Sequence, residues 1–240
     1  MTVKSTTKPR RTYDQECGLA YALDVVGDRW TLLIIRELLP RSRRYNELLD
    51  ALPGIGTNLL ADRLSFLTDV SLIEPTEPGR RTGGYTLTEL GRALHDPILG
   101  LARFGLTVGA GKPRRADAIV RPSWAALAIE AMVDDERAPD QDETYQFDVA
   151  GEVFHVTVEG GHAVTNIGPA ERPTLVITTD AETFFNLGLR RLDPLEALVS
   201  NAVQFTGAPS AVPRCLRLIG LGGPEMAASA GQSGGSDGGR

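Results

Sequence analysis

The sequence predicts an α+β chain in two parts. A mainly helical N-terminal half carries one β-hairpin, and a C-terminal half sets helices beside a mostly antiparallel sheet of short strands. Three observations lead there. Apolar residues keep helical spacing as far as about residue 105, and strand-like alternation takes over beyond residue 144. A Gly/Pro/Arg stretch at 109–115 separates the two patterns. Charge divides at the same place: residues 1–115 carry 17 Lys/Arg against 13 Asp/Glu, and residues 116–240 carry 8 against 18. A basic half joined to an acidic half points to a polyanionic partner for the first alone.

In the N-terminal half, Leu19, Leu23 and Val26 set out one helix, which Gly27-Asp28 interrupts. Trp30, Leu33, Ile34 and Leu38 set out a second, ended by Pro40. A short helix at about 45–52 turns Leu48, Leu49 and Leu52 inward, and Pro53-Gly54-Ile55-Gly56 makes a turn. Thr57 reads as the N-cap of the next helix, on which Leu60, Leu64 and Leu67 form an apolar stripe. Residues 72–78 and 85–87 read as a hairpin with a Gly/Arg tip, its prolines confined to an edge strand. Thr88 caps a further helix running through Phe104, with a kink or break expected at Pro97.

Beyond the 109–115 linker, a helix is expected at 122–134 and strands at 145–149, 153–158, 162–167 and 175–179. Asp180 caps a helix carrying Phe184, Phe185 and Leu187, and another helix begins near Pro194. A fifth strand at 203–206 and a last helix to about residue 221 follow. From Gly222 the chain holds 7 Gly in 19 residues and little to bury, the composition of a disordered tail. The expected domains are therefore 1–112, 117–221 and the 222–240 tail.

Composition bounds the function. The chain of 240 residues is 42% hydrophobic and 23% charged, ordinary for a soluble globular protein. No apolar run reaches the roughly 18 residues that span a bilayer, so no membrane partner is expected. The polar, basic start lacks the apolar core of a secretory signal. Cys17 and Cys215 are too far apart for a Cys-x-x-Cys metal cluster, and two cysteines make no disulfide framework. A reducing cytoplasm fits this usage. His95, His155 and His162 lack metal-ligand spacing on one helix, though His155 and His162 fall on neighbouring strands where they could face each other. No phosphate loop, nucleophile elbow or scaffolded carboxylate pair occurs, so no cofactor, metal or enzyme activity is expected.

Helix, turn, capped helix, then basic hairpin is the order of a winged helix-turn-helix. A helix fits the major groove of B-DNA, the preceding helix crosses the backbone, and arginines on a hairpin tip reach flanking phosphates. Opposite the leucine stripe, Thr57, Asn58, Asp62 and Ser65 would face the bases, with Arg63 on the flank. Arg41, Arg43 and Arg44 precede the first helix of the pair, and Arg80 and Arg81 lie at the tip. A helical module used only for packing or dimerisation is the alternative.

The combination Cys17-Gly18-Leu19, residues 22–34 (ALDVVGDRWTLLI), Arg36-Glu37-Leu38, Tyr45-Asn46-Glu47-Leu48, Leu52-Pro53-Gly54-Ile55, Leu60, Arg63-Leu64, Leu67 and Tyr85 through Gly91 (YTLTELG) resembles the HxlR-type bacterial transcriptional regulators. The likeness covers about 17–105. It implies a homodimeric winged-helix protein bound to double-stranded DNA at a pseudo-palindromic operator. In some members a cysteine at the place of Cys17 is a redox sensor; a buried packing thiol is the other reading of this residue. At the start of a helix the dipole lowers a thiol pKa, while Asp14 and Glu16 would raise it.

The C-terminal pattern, from 145–149 through 180–187 to 203–207 and the last helix, resembles the sterol-carrier-protein type of domain. This implies a five-stranded sheet and helices around an apolar cavity for a hydrophobic small molecule or lipid. Trp124, Phe147, Phe154, Phe184, Phe185 and Leu187 are the candidate lining; each could equally fill a core. The joint expectation is a DNA reader fused to a ligand sensor. Its rivals are an apolar-ligand carrier or scavenger whose basic half only dimerises, and a thiol-switched regulator using Cys17.

Overall fold

Leu60, Leu64 and Leu67 are all buried, and the N-terminal unit is built around them. The computed structural model describes residues 12–77 and 83–222, and the chain divides into units of 1–98 and 99–240.

The first unit comprises α1 (Gly18–Val26), α2 (Thr31–Leu38), β1 (Arg43–Arg44), α3 (Tyr45–Ala51), α4 (Thr57–Asp69), β2 (Ile73–Pro75), β3 (Gly84–Leu87) and α5 (Glu89–Arg92), and α6 (His95–Gly109) begins in it. Ile34, Ile35 and Leu38 of α2, Leu48 of α3, and Leu52, Ile73 and Leu87 join them in its core. The small antiparallel sheet runs β1-β3-β2, so Pro75 lies on an edge strand, where its missing N–H leaves no gap in the ladder. Strand β1 was not expected, because two residues are too few to display alternation. Thr88 caps α5 by accepting the Gly91 N–H at 3.1 Å. The break expected near Pro97 falls just before it: α6 restarts at His95 and holds Pro97 in its first turn, where no amide donor is needed. Thr57 is not the cap of α4; Gly56 is, and Thr57 is the first helical residue. On α1, Leu19 and Leu23 of the helical spacing are exposed, and Ala20 is the buried residue.

The second unit holds the rest of α6, a 3-10 turn at Pro122–Trp124, α7 (Ala125–Met132), β4 (Glu143–Val149), β5 (Glu152–Glu159), β6 (His162–Ile167), β7 (Leu175–Thr179), α8 (Ala181–Gly188), α9 (Pro194–Val199), β8 (Val203–Gly207) and α10 (Val212–Leu218). The sheet order is β6-β5-β4-β7-β8, with β4 and β7 parallel and the other neighbours antiparallel. Alternation follows the period of two: Tyr145, Phe147 and Val149 are buried, with Thr144, Gln146 and Asp148 on the opposite face. Ile129, Phe184, Cys215 and Leu218 of the helices pack on the buried face. Asp180 and Asp193 cap α8 and α9 by accepting amides of their first turns. The stretch 109–115 is bonded within this unit, since the Gly111 N–H donates to Leu189 O (2.8 Å) and Arg191 Nε to Lys112 O (2.7 Å). The expected 222–240 tail lies, but for Gly222, outside the described residues.

A buried ion pair ties sheet to helix. Glu143, 5% exposed, accepts Arg214 Nε (3.0 Å) and Nη2 (2.5 Å), the Tyr145 hydroxyl, and Gln141 Nε2 (2.6 Å). Burial pushes this carboxyl up, but hydrogen bonds from Arg214, Tyr145 and Gln141 outweigh it and hold it below the usual carboxylate range. Its folded pKa is thus depressed, so the stabilisation is present above the unfolded carboxylate pKa and is lost as pH falls through the lower folded value. Arg214→Met should destabilise the second unit by about 3 kcal/mol, because it strands a buried charge. Glu143→Gln should flatten the loss of stability with acid; urea unfolding at pH 7 and at about pH 3 checks both.

Gly91 sits in a tight place in the first unit. A Cβ there would lie 2.0 Å from the Leu72 carbonyl oxygen. Gly91→Ala should therefore cost about 2 kcal/mol or more by overpacking. Gly100→Ala, in the open on α6, should gain roughly 0.5–1 kcal/mol from helix propensity, both read from thermal and urea unfolding of the full chain.

Candidate functional site

The turn between α3 and α4 is held at several points. Tyr45, the first residue of α3, donates its hydroxyl to Thr57 O on the first turn of α4 (2.8 Å). Gly54, at φ 90°, carries the chain between the helices, beneath the Trp30 ring. From the α1–α2 turn, Asp28 pairs with Arg63 of α4. Leu60, Leu64 and Leu67 face inward, so Thr57, Asn58, Asp62 and Ser65 are presented together on the exposed side.

The arginines divide into two kinds. Arg41 and Arg44 are exposed at the start of α3. Glu47 joins them to the helix: it accepts the Arg44 N–H (2.7 Å) and Arg41 Nη1 (3.0 Å). Those bonds, the backbone one first, hold its carboxyl below the usual range. Arg43 turns inward, its side chain 11% exposed, with Nε on Glu37 O (2.8 Å) and Nη2 on Glu37 Oε2 (3.1 Å). Arg63 is likewise engaged, with Asp28. Both therefore brace the fold in this structure. Arg80 and Arg81 lie outside the described residues.

The positioning residues Glu37, Glu47, Tyr45 and Asp28 were missed from sequence. Two left a signal. Glu47 stands three residues after Arg44, the spacing by which a carboxylate reaches back to a helix's N-cap amide. Glu37 interrupts the apolar face of α2, and a carboxylate there demands a cation.

Cys17 is exposed, which removes the packing reading. Amides of Ala20 and Leu19 hold its thiol below the usual range, and Glu16 is bonded to the Tyr21 hydroxyl (2.5 Å). The expected opposition from Glu16 and Asp14 does not govern the direction. Cys215 is buried, which pushes its thiol up. His155 and His162 do not pair: His155 Nδ1 meets Gly168 O (2.9 Å) and His162 Nδ1 meets Asp135 (3.2 Å).

In the second unit, an apolar cavity of about 50 Å³ lies over the β4-β7-β8 end of the sheet. Phe147, Phe184 and Leu187 line it, as expected, together with Met132, Ile177 and Phe205. Trp124, Phe154 and Phe185 do not. Phe154 is on β5, away from that end, stacked on Phe147 (centroids 5.3 Å, 9°). Phe185 meets Phe184 edge-on at 5.2 Å. The cavity is small and its lining is apolar.

Among the described residues, no helix is long and apolar enough to cross a membrane. Residues 25–110 match the family described as HxlR-like helix-turn-helix. A helix-turn-helix-type transcriptional regulator of Synechocystis is 33% identical over 93 residues, covering 37% of this chain and 67% of the relative. YvaP, a regulator of that type from Bacillus subtilis, is 37% identical over 83 residues, covering 33% of this chain and 74% of its own. The solved structure of quinone-bound YodB from B. subtilis matches at 30% identity, with 37% of this chain and 96% of that one covered and a TM-score of 0.34. The match spans about half the length, 54%, of relatives from Mycobacterium. All of these matches cover less than half of this chain. Through its N-terminal unit, the chain belongs to the HxlR-like helix-turn-helix family of transcriptional regulators.

Proposed function

We propose that this regulator works as a homodimer, laying α4 of each copy in the major groove of a pseudo-palindromic operator, and that an apolar effector in the second unit sets its DNA affinity. The observation that carries the DNA reading is the exposed row Asn58, Asp62 and Ser65, set opposite three buried leucines and flanked by the exposed Arg41 and Arg44. Asn makes a bidentate bond to adenine, and Asp accepts from cytosine. Arg41 and Arg44 take phosphates; Arg43 and Arg63 keep the reader in shape. Apolar residues exposed on α1 (Leu19, Tyr21) and on α6 (Leu101, Phe104, Val108) are the surfaces offered to a second copy. Two copies would meet half-sites roughly 34–36 Å apart. An effector acts through unequal affinity for DNA-competent and incompetent states, in the cytoplasm where the chromosome lies.

The exposed Cys17 thiol, its pKa lowered at the start of α1, favours a second reading in which oxidation releases DNA.

Operator selection from genomic fragments, followed by fluorescence anisotropy, tests the DNA reading. Arg44→Ala should weaken every duplex alike and reduce the salt slope by about one. Asn58→Ala should cost about 1–3 kcal/mol at one base pair and relax the preference there. Unchanged binding in both variants would remove α4 and the start of α3 from the interface. In the thiol reading, Cys17→Ser should keep DNA affinity and lose its response to diamide; a variant that responds like the parent ends that reading.

A further inference from the structure

The sheet of the second unit ends in β6 on one side and β8 on the other, and the two edges differ. On β8 the exposed side chains are the polar Gln204 and Thr206, while Val203 and Phe205 turn toward the core. On β6 two apolar side chains lie open, Val164 at 56% exposed and Ile167 at 65%. The strand, His162–Ile167, holds no proline, lysine or acid, the residues that commonly keep an edge from pairing.

The register shows which backbone groups of β6 are available. The Gly168 N–H donates to Val153 O (2.9 Å), and antiparallel pairing alternates from there, so Asn166 and Val164 bond to β5. Ala163, Thr165 and Ile167 therefore turn N–H and C=O away from the sheet. Ala163 follows this rule, its N–H meeting Asp135 Oδ1 (3.0 Å). That carboxylate closes one end of the edge. The other end closes at Gly168, φ 96°, where the chain leaves the strand and crosses the sheet: Gly168 O meets His155 Nδ1 (2.9 Å), and the Ala170 N–H donates to Gln146 Oε1 (2.9 Å). Between these ends, the outward groups of Thr165 and Ile167 have no backbone partner among the described residues.

An edge open over this stretch alone matches itself in one register. Laid antiparallel to a second copy about Asn166, Thr165 faces Ile167 of the second copy, and Ile167 faces Thr165 of the second copy. Each open donor then meets an open acceptor, two bonds to each pair. Shifted toward the start of β6, the ladder needs the Ala163 N–H that Asp135 holds. Shifted the other way, it runs off the strand at Gly168. No like charges meet, because Thr165, Asn166 and Ile167 carry none.

We propose that β6 pairs with β6 of a second copy, antiparallel about Asn166, joining two five-stranded sheets into one and covering Ile167. This rests on the homodimer reading and adds to it a contact made by the second unit. The ladder is short, and it forms because the copies are already held together, which makes the pairing effectively intramolecular.

Asn166→Cys in a Cys17→Ser background tests it. Opposed residues of a non-hydrogen-bonded pair have Cα atoms about 4.5 Å apart, within reach of a disulfide. Mild oxidation of the full chain should give a covalent dimer, while Gln204→Cys on β8 in the same background should give little. Adding Ile167→Lys, at an exposed position that leaves the melting temperature unchanged, should cut the Asn166→Cys linkage to about a tenth by charging the edge. Equal linkage at 166 and 204 would mark random collision and overturn the pairing. Absence of linkage at 166 in a chain that sediments as a dimer would overturn it too, and would leave the homodimer reading standing. A chain that sediments as a monomer and links at neither position would overturn both.

Discussion

A carboxylate removed from water must meet cations, and Glu37, 2% exposed, meets two. Arg36 and Arg43 both reach it. The pair with Arg43 does more than satisfy charge. It fixes the chain between α2 and α3, which lets Arg43 and Arg44 form β1 opposite Tyr85 and Gly84. The wing is therefore docked to the helices by backbone pairing that begins at a buried ion pair. The same short stretch leads directly into α3, whose first residue fixes the start of α4 through the Tyr45 hydroxyl. Removing one partner of such a pair leaves the other charged and buried, which is why the arrangement behaves as a unit.

The second unit answers a different constraint. Its sheet is covered by helices on one face, and the parallel β4–β7 neighbours bring Phe147 beside Ile177. The space left between that part of the sheet and α7, α8 and α10 is almost filled. An apolar interior packed this closely accepts a guest only by moving side chains, which makes occupancy and conformation a single event. Helix α6 begins in the first unit and continues into the second.

The sequence made periodic features legible. The leucines of α4, the five strands and the caps at Thr88 and Asp180 follow from spacing and from short polar side chains before apolar runs. What escaped was decided by tertiary partners. Gly56 rather than Thr57 caps α4, and propensity alone does not separate neighbours. Arg41, Arg43 and Arg44 look alike in a string; only the buried Glu37 distinguishes the inward one. Phe147 and Phe154 share a face and a stack, yet sheet order alone puts one at the cavity and the other away from it. Leu19 and Leu23 keep helical period, but period says that a face is apolar and not what covers it.

The two thiols differ in access. Cys17 meets solvent at once, whereas Cys215 is 3% exposed and reacts only when its surroundings open. A membrane-impermeant maleimide would therefore tag a native molecule once, and the delayed second adduct would time how often the second unit opens.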